Sequence, residues 1–165
     1  MPRPPVEPMS TTISFPTDNL KLSPLLINPR SGEPYLQLPA PHENIIITPF
    51  RPEDVDSMVK FMNDERVYSF LGGPPFPYTH EDGVRWSKSV MERSQSLFRC
   101  MEDGNQFLDG CPVSSIREVF EDGSDVYIGD ITIGRETPER TWVGPEDVDN
   151  LKKPVGDPTI LYTVG

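Results

Sequence analysis

"CPVSSIREVFEDGSDVYIGDITIG", residues 111–134, decides the fold class. Two runs rich in β-branched and aromatic residues flank "EDGS", residues 121–124, and Gly123 can take the positive φ that a tight hairpin turn needs. The stretch is read as two antiparallel strands. Along the second, alternation places Tyr127, Gly129, Ile131 and Ile133 on one face and Val126, Ile128, Asp130 and Thr132 on the other. Asp130 then sits mid-strand between apolar neighbours, where its carboxylate requires a partner or water.

Upstream lies "THEDGVRWSKSVMERSQSLFRCMEDG", residues 79–104. Thr79 with Asp82 three positions on has the form of a capping box. Trp86, Val90, Leu97 and Met101 share a face, with Met91 and Phe98 beside it, and Gly104 is a suitable stop. The spacing predicts one long helix over 81–102. Further upstream, "ENIIITPFRPEDVDSMVKFMND" starts at Glu43. Ile45, Ile46, Ile47 and Thr48 predict a short buried strand that Pro49 ends. Pro52 suits a first helical turn, and Glu53, Asp54 and Asp56 put negative charge at that helix's positive end. Val55, Met58, Val59 and Met62 form its apolar stripe. "ERVYSFL" adds one or two helical turns, while the prolines of "GGPPFPY", residues 72–78, exclude helix and central strand. Tyr35, Leu36 and Leu38 suggest a short strand stopped by Pro39.

After the hairpin, residues 135–158 read as a polar surface loop anchored by Trp142 and Val143, and residues 159–164 as a final buried strand. The order β, α, α, β, β, loop, β predicts an α/β (α+β) domain, a mostly antiparallel sheet with two helices before the central hairpin. Eleven of the 20 prolines fall in the first 50 residues, and residues 1–34 lack sustained periodicity. They are expected to be a disordered proline-rich arm, with the folded domain at 35–165.

With 15 Lys+Arg against 26 Asp+Glu, the net charge of −11 repels phosphate backbones and anionic membranes, which excludes nucleic-acid binding as the leading reading. No apolar run approaches the ~20 residues needed to cross a bilayer, and the N-terminus lacks the apolar segment of a secretion signal. Cys100 and Cys111 have neither metal nor redox spacing and are expected to be free thiols, in keeping with a cytoplasmic or nuclear location.

In order, "IIITPFRPEDVDSMVKFMNDERVYSFLGGPPFPYTHEDGVRWSKSV" and "CPVSSIREVFEDGSDVYIGDITI" resemble the amino-terminal half of a Gcn5-related N-acetyltransferase (GNAT). The nearest likeness is to the fungal type of the ribosomal-protein-alanine acetyltransferase branch, and it covers residues 44–165. In that pattern a strand delivers a phrase like "TPFRPEDVD" into the first helix, a "D-x-x-V" helix leads to a proline-rich substrate loop and a second helix, and a hairpin ends in "IGDI-x-I". The resemblance implies transfer of acetyl from acetyl-CoA to an amine, with the cofactor between two diverging strands. Its pyrophosphate would rest on the backbone N–H groups of a loop patterned [R/Q]-x-x-G-x-[G/A].

That loop occurs nowhere in these 165 residues, and the prolines of "LGGPP" remove the donors such a nest needs. The fifth strand, its helix and the family's C-terminal tyrosine or serine acid have no counterpart either. The expectation is a truncated, catalytically incompetent fragment with no catalytic, cofactor-binding or metal-ligating residue, unable to bind acetyl-CoA alone. An alternative is a non-catalytic interaction or vestigial module that uses its open sheet edge and self-associates through 159–164. The resemblance places Phe76 and Tyr78 at the acceptor entrance, though aromatic residues of such a loop equally serve to pack it onto the core. Asp130 is a candidate partner for the acceptor amine, either a protein N-terminus or a small molecule. His80 is readable as a general base or as part of a solvated helix start, and Glu118 is a further hairpin carboxylate.

Overall fold

The computed structural model of the chain describes residues 15, 23–136 and 150–165. Most of the expected arm, and the anchors Trp142 and Val143, lie outside the described residues.

The fold is α+β. Five strands form one antiparallel sheet in the order β1 (Leu26–Ile27), β2 (Pro34–Gln37), β3 (Ile45–Thr48), β4 (Ser115–Val119) and β5 (Asp125–Asp130). A separate antiparallel pair joins β6 (Ile133–Arg135) to β7 (Tyr162–Val164). Gly123 takes a φ of 82° in the β4–β5 turn, as the hairpin reading requires.

Order begins earlier than residue 35. Leu25 is buried, β1 pairs with β2, and the turn between them is held by Asn28, whose side chain accepts the N–H of Arg30 at 2.9 Å. Gly32 closes it at a φ of 72°. A two-residue strand has no period to detect, so the sequence left this hairpin inside the arm.

Between β3 and β4 come a 3-10 turn (Pro52–Asp54), α1 (Val55–Met62), α2 (Glu65–Tyr68) and α3 (His80–Glu102). Asp64 caps α2 by accepting the Arg66 N–H at 2.9 Å; bonds from the Arg66 side chain and backbone hold its carboxyl at about 2. Thr79 caps α3 reciprocally: its Oγ1 accepts the Asp82 N–H at 3.2 Å while Asp82 Oδ2 accepts the Thr79 N–H at 3.0 Å. Thr79→Ala should lower stability by about 1 kcal/mol in urea unfolding, and an unchanged midpoint would show the cap to be idle.

The buried stripe of α3 is Gly83, Ser87, Met91, Ser94, Leu97, Phe98 and Met101, with Trp86 and Val90 at its half-buried margin. Its centre differs from the expected one because small residues make the close contacts. A Cβ on Gly83 would lie 3.0 Å from Val59 and 3.1 Å from Val55, so glycine lets α1 and α3 approach. Ser94 Oγ donates to the Pro112 carbonyl at 2.6 Å. One core cluster joins Phe50, Val55, Met58, Tyr78, Met91 and Tyr127; a second joins Leu25, Phe98, Met101 and Val113.

The end of the chain corrects the expected buried strand at 159–164. Only Tyr162–Val164 is strand, with Tyr162 42% and Val164 65% exposed, while Ile160 is buried. Its partner β6 is three residues long, which leaves little surface to cover it. The return from the loop is held elsewhere. Buried Asn150 donates from Nδ2 to the carbonyls of Glu136 (3.0 Å) and Leu161 (2.8 Å) and accepts the Leu161 N–H at 2.9 Å.

Candidate functional site

The site is built by a β-bulge. Arg117 faces Tyr127, yet Ile116 faces Gly129, so Ile128 is an extra residue in β5. Past such an insertion the alternation changes phase. Regular alternation would set Tyr127 and Asp130 on opposite faces; here the Tyr127 hydroxyl donates to Asp130 Oδ2, and Asp130 lies opposite Ser115. Asp130 has thus moved from the face expected of it onto the buried one. Ser115 Oγ donates to its other oxygen at 3.4 Å.

Burial is the main cause that pushes the Asp130 carboxyl up to about 6, against the two hydroxyl bonds, with nearby Asp54 adding to the rise. The Tyr127 phenol is pushed upward too, first by burial and then by the Asp130 charge it bonds. Protonation of Asp130 therefore falls within the range where an acid can exchange a proton or hold an ammonium group near neutrality.

Of the other expected residues, Tyr78 comes into this neighbourhood and Phe76 does not. Tyr78 is a core residue beside Tyr127, and its phenol is raised by burial, by Asp82 and by the charge of Asp130. Asn63 grips its backbone, donating to the Tyr78 carbonyl at 2.7 Å and accepting its N–H at 2.9 Å. Tyr78 is thus a wall, where the resemblance had placed it at an entrance. Phe76 is 63% exposed, with its ring 4.4 Å from that of Tyr68. His80 lies exposed at the start of α3, 3.5 Å from Asp56, and Glu118 accepts a 3.4 Å bond from Asn44. Neither shares a bonding partner with Asp130, whose partners are Tyr127 and Ser115. Cys100 and Cys111 are free, half-buried thiols, and burial raises that of Cys111.

Behind Asp130 stands an ion network that sequence reading missed. Arg117, 3% exposed at its side chain, donates to Thr48 Oγ1 at 2.8 Å, to Asp125 at 3.0 Å and to Asp54. Arg51 joins Asp125 at 2.9 Å to Glu33 at 2.5 Å. Burial raises the Asp54 carboxyl against the pull of Arg117 and Arg51. For Asp125, burial acts upward but the two arginines prevail and lower it. In "SIREV" neither alternating phase is apolar, so periodicity gave no signal that Arg117 faces inward.

Two surface grooves, of about 460 and 550 Å³, lie by the C-terminal end of α3, and neither is lined by Phe76, Tyr78 or Asp130. Among the described residues no set of three His, Cys, Asp or Glu side chains is placed to hold a metal, and no helix is long and apolar enough to cross a membrane. The cluster can thus act through one half-buried carboxyl, two phenols and a hydroxyl. In comparisons with known proteins, no family model, curated protein or solved structure matches the chain.

Proposed function

We propose that residues 25–165 form the acceptor side of an amine acetyltransferase of the Gcn5-related type, with Asp130 receiving the ammonium group of the acceptor. The reading is supported by one observation above the rest. The bulge brings Asp130 onto the face of Tyr127, and Tyr78 packs in the same core cluster as Tyr127. The order β3, α1, α2, α3, β4, β5 agrees with the resemblance. In such a transferase a deprotonated amine attacks the thioester carbonyl of acetyl-CoA, the thiolate leaves, and an acid protonates it. This chain contributes acceptor binding. Asp130, as a carboxylate above pH 6, would pair with the ammonium and orient it. The cofactor's phosphates have no glycine-rich loop to rest on among these 165 residues.

Two measurements test the reading. Calorimetric titration of acetyl-CoA into the 165-residue chain should give no saturable heat, whereas saturation would place a cofactor site within it. Titration of the chain with a small primary amine at pH 7.5 should give saturable binding that Asp130→Asn abolishes; binding that is absent, or equal in the variant, would count against the transferase. Failure of that second test favours the other reading, a non-catalytic interaction module of the cytoplasm or nucleus. The exposed apolar side chains of β7, which would also serve self-association, are the observation behind it.

A further inference from the structure

The buried face of the sheet carries two polar rows. In one, Thr48, Ser115 and Asp130 lie opposite one another across β3, β4 and β5. In the other, two positions along β4 and therefore on the same face, Arg117 lies opposite Tyr127, whose hydroxyl donates to Asp130. Asp54 reaches this face from the 3-10 turn and accepts a bond from Arg117. The charges do not balance. Arg51 and Arg117 serve Glu33, Asp54 and Asp125, so two cations meet three carboxylates and the network keeps one negative charge in excess. Asp130 is a further carboxyl on that face, and its partners are two hydroxyls that carry no charge. Glu33 and Asp125 are held by the Arg51 fork, and Asp125 stands at the other end of β5 from Asp130. Asp54 pairs with Arg117, the cation that stands opposite the tyrosine bonding Asp130.

We propose that Asp54 is a positioning residue for Asp130, a second buried carboxylate that Arg117 holds behind it and that governs the protonation state in which Asp130 meets the acceptor. The inference rests on Asp130 as the receiving carboxyl of the proposed function. Ionising Asp130 beside a network that already carries an excess negative charge is opposed by repulsion, which a site shielded from water screens poorly. Burial is the first cause that holds the Asp130 carboxyl at about 6; the Asp54 charge adds to it and the Arg117 charge opposes it. Among the described residues, the charged and titratable groups facing Asp130 are Tyr127 on its own strand, Arg117 on β4, Asp54 in the 3-10 turn and Tyr78 ahead of α3. α1 meets β5 through Phe61, whose ring stacks on Tyr127 at 5.9 Å and brings no charge. Asp54 is thus the anion of the set. With its charge in place Asp130 keeps a proton to higher pH, and its carboxylate, once formed, is the stronger base toward an ammonium group set against it.

The test is a pH titration of the Asp130 carboxyl carbon by NMR, in the 165-residue chain and in two variants. Asp54→Asn removes the charge and retains an oxygen for the Arg117 guanidinium and the Arg51 N–H, both of which bond Oδ2. It should lower the Asp130 midpoint by about half a pH unit or more, which is about a threefold rise in the ratio of carboxylate to acid at a fixed pH. Asp56→Asn removes an equal charge from an exposed side chain nearby in sequence, and should leave the midpoint within about 0.1 pH unit. If Asp54→Asn fails to fold, Asp54→Ser takes its place. An unchanged midpoint without the Asp54 charge would overturn the proposal. So would equal shifts in the two variants, which would report net charge alone. In Asp54→Asn the acid limb of amine binding should move with the midpoint. A moved midpoint with an unmoved limb would uphold the link between the two carboxyls and count against Asp130 as the receiver of the amine.

Discussion

Replacing Arg117 with methionine should lower stability by about 3–5 kcal/mol, enough to unfold a domain of this size or leave it barely folded. The guanidinium is nearly sealed from water and serves Thr48, Asp54 and Asp125 at once. Its removal leaves the buried Asp54 carboxylate, at the end of the 3-10 turn, with the Arg51 N–H but no partner cation, and an uncompensated buried charge costs more than the pair contributed. Arg117→Lys should rescue little, because one ammonium cannot reach three acceptors that a planar fork spans. The double variant Arg117→Met with Asp54→Leu should recover much of the loss, since it removes both charges. Urea unfolding of the three variants provides the check; a loss below about 1 kcal/mol for Arg117→Met would show that water already reaches the network.

Asp130→Asn should stabilise the protein at pH 7 and do nothing at pH 3. The folded carboxyl sits at about 6, above its ordinary 3.8, chiefly through burial. A group raised in this way contributes stability that is complete below the unfolded value and is lost as pH climbs through the folded one. Between pH 3.8 and 6 the unfolded chain has already lost this proton while the native protein still holds it, so rising pH favours unfolding throughout that window. Over roughly two units that amounts to about 3 kcal/mol of relative destabilisation at neutrality. Asparagine retains an oxygen to accept the Tyr127 hydroxyl, turns its amide N–H toward the oxygen of Ser115, and carries no charge. Asp54 titrates with the same sign and Asp125 with the opposite one; both are present in each protein, so the difference reports Asp130 together with its coupling to Asp54. Identical pH–stability curves would mean that the carboxylate is already well hydrated. In the acetyltransferase reading, the same cost would be relieved when an ammonium group binds.

Much of the scaffold was legible because local chemistry and global packing agree. The Thr79–Asp82 cap, the Gly123 turn and the isoleucine run of β3 each announced an element that the structure contains. What escaped the sequence depended on contacts distant along the chain. The bulge at Ile128 has no signal beyond an adjacent glycine, and it moved Asp130 to the other face, changing what that residue can do. Arg117 pairs with Asp54 across 63 positions, and only folding reveals that a charge in a mixed strand faces inward. Asn63 and Asn150 were invisible for a related reason, since an asparagine that ties two backbones together looks like any loop asparagine.

Asn150 has a corollary for the length of the excursion. By joining Glu136 to Leu161, with the Arg135 guanidinium adding bonds to the carbonyls of Asn150 (2.8 Å) and Lys153 (2.7 Å), it fixes both ends of the excursion independently of what lies between them. Each doubling of a flexible closed loop costs only about 0.6 kcal/mol. Insertions or deletions between residues 137 and 149 should therefore change stability little, while the β6–β7 register stays where it is.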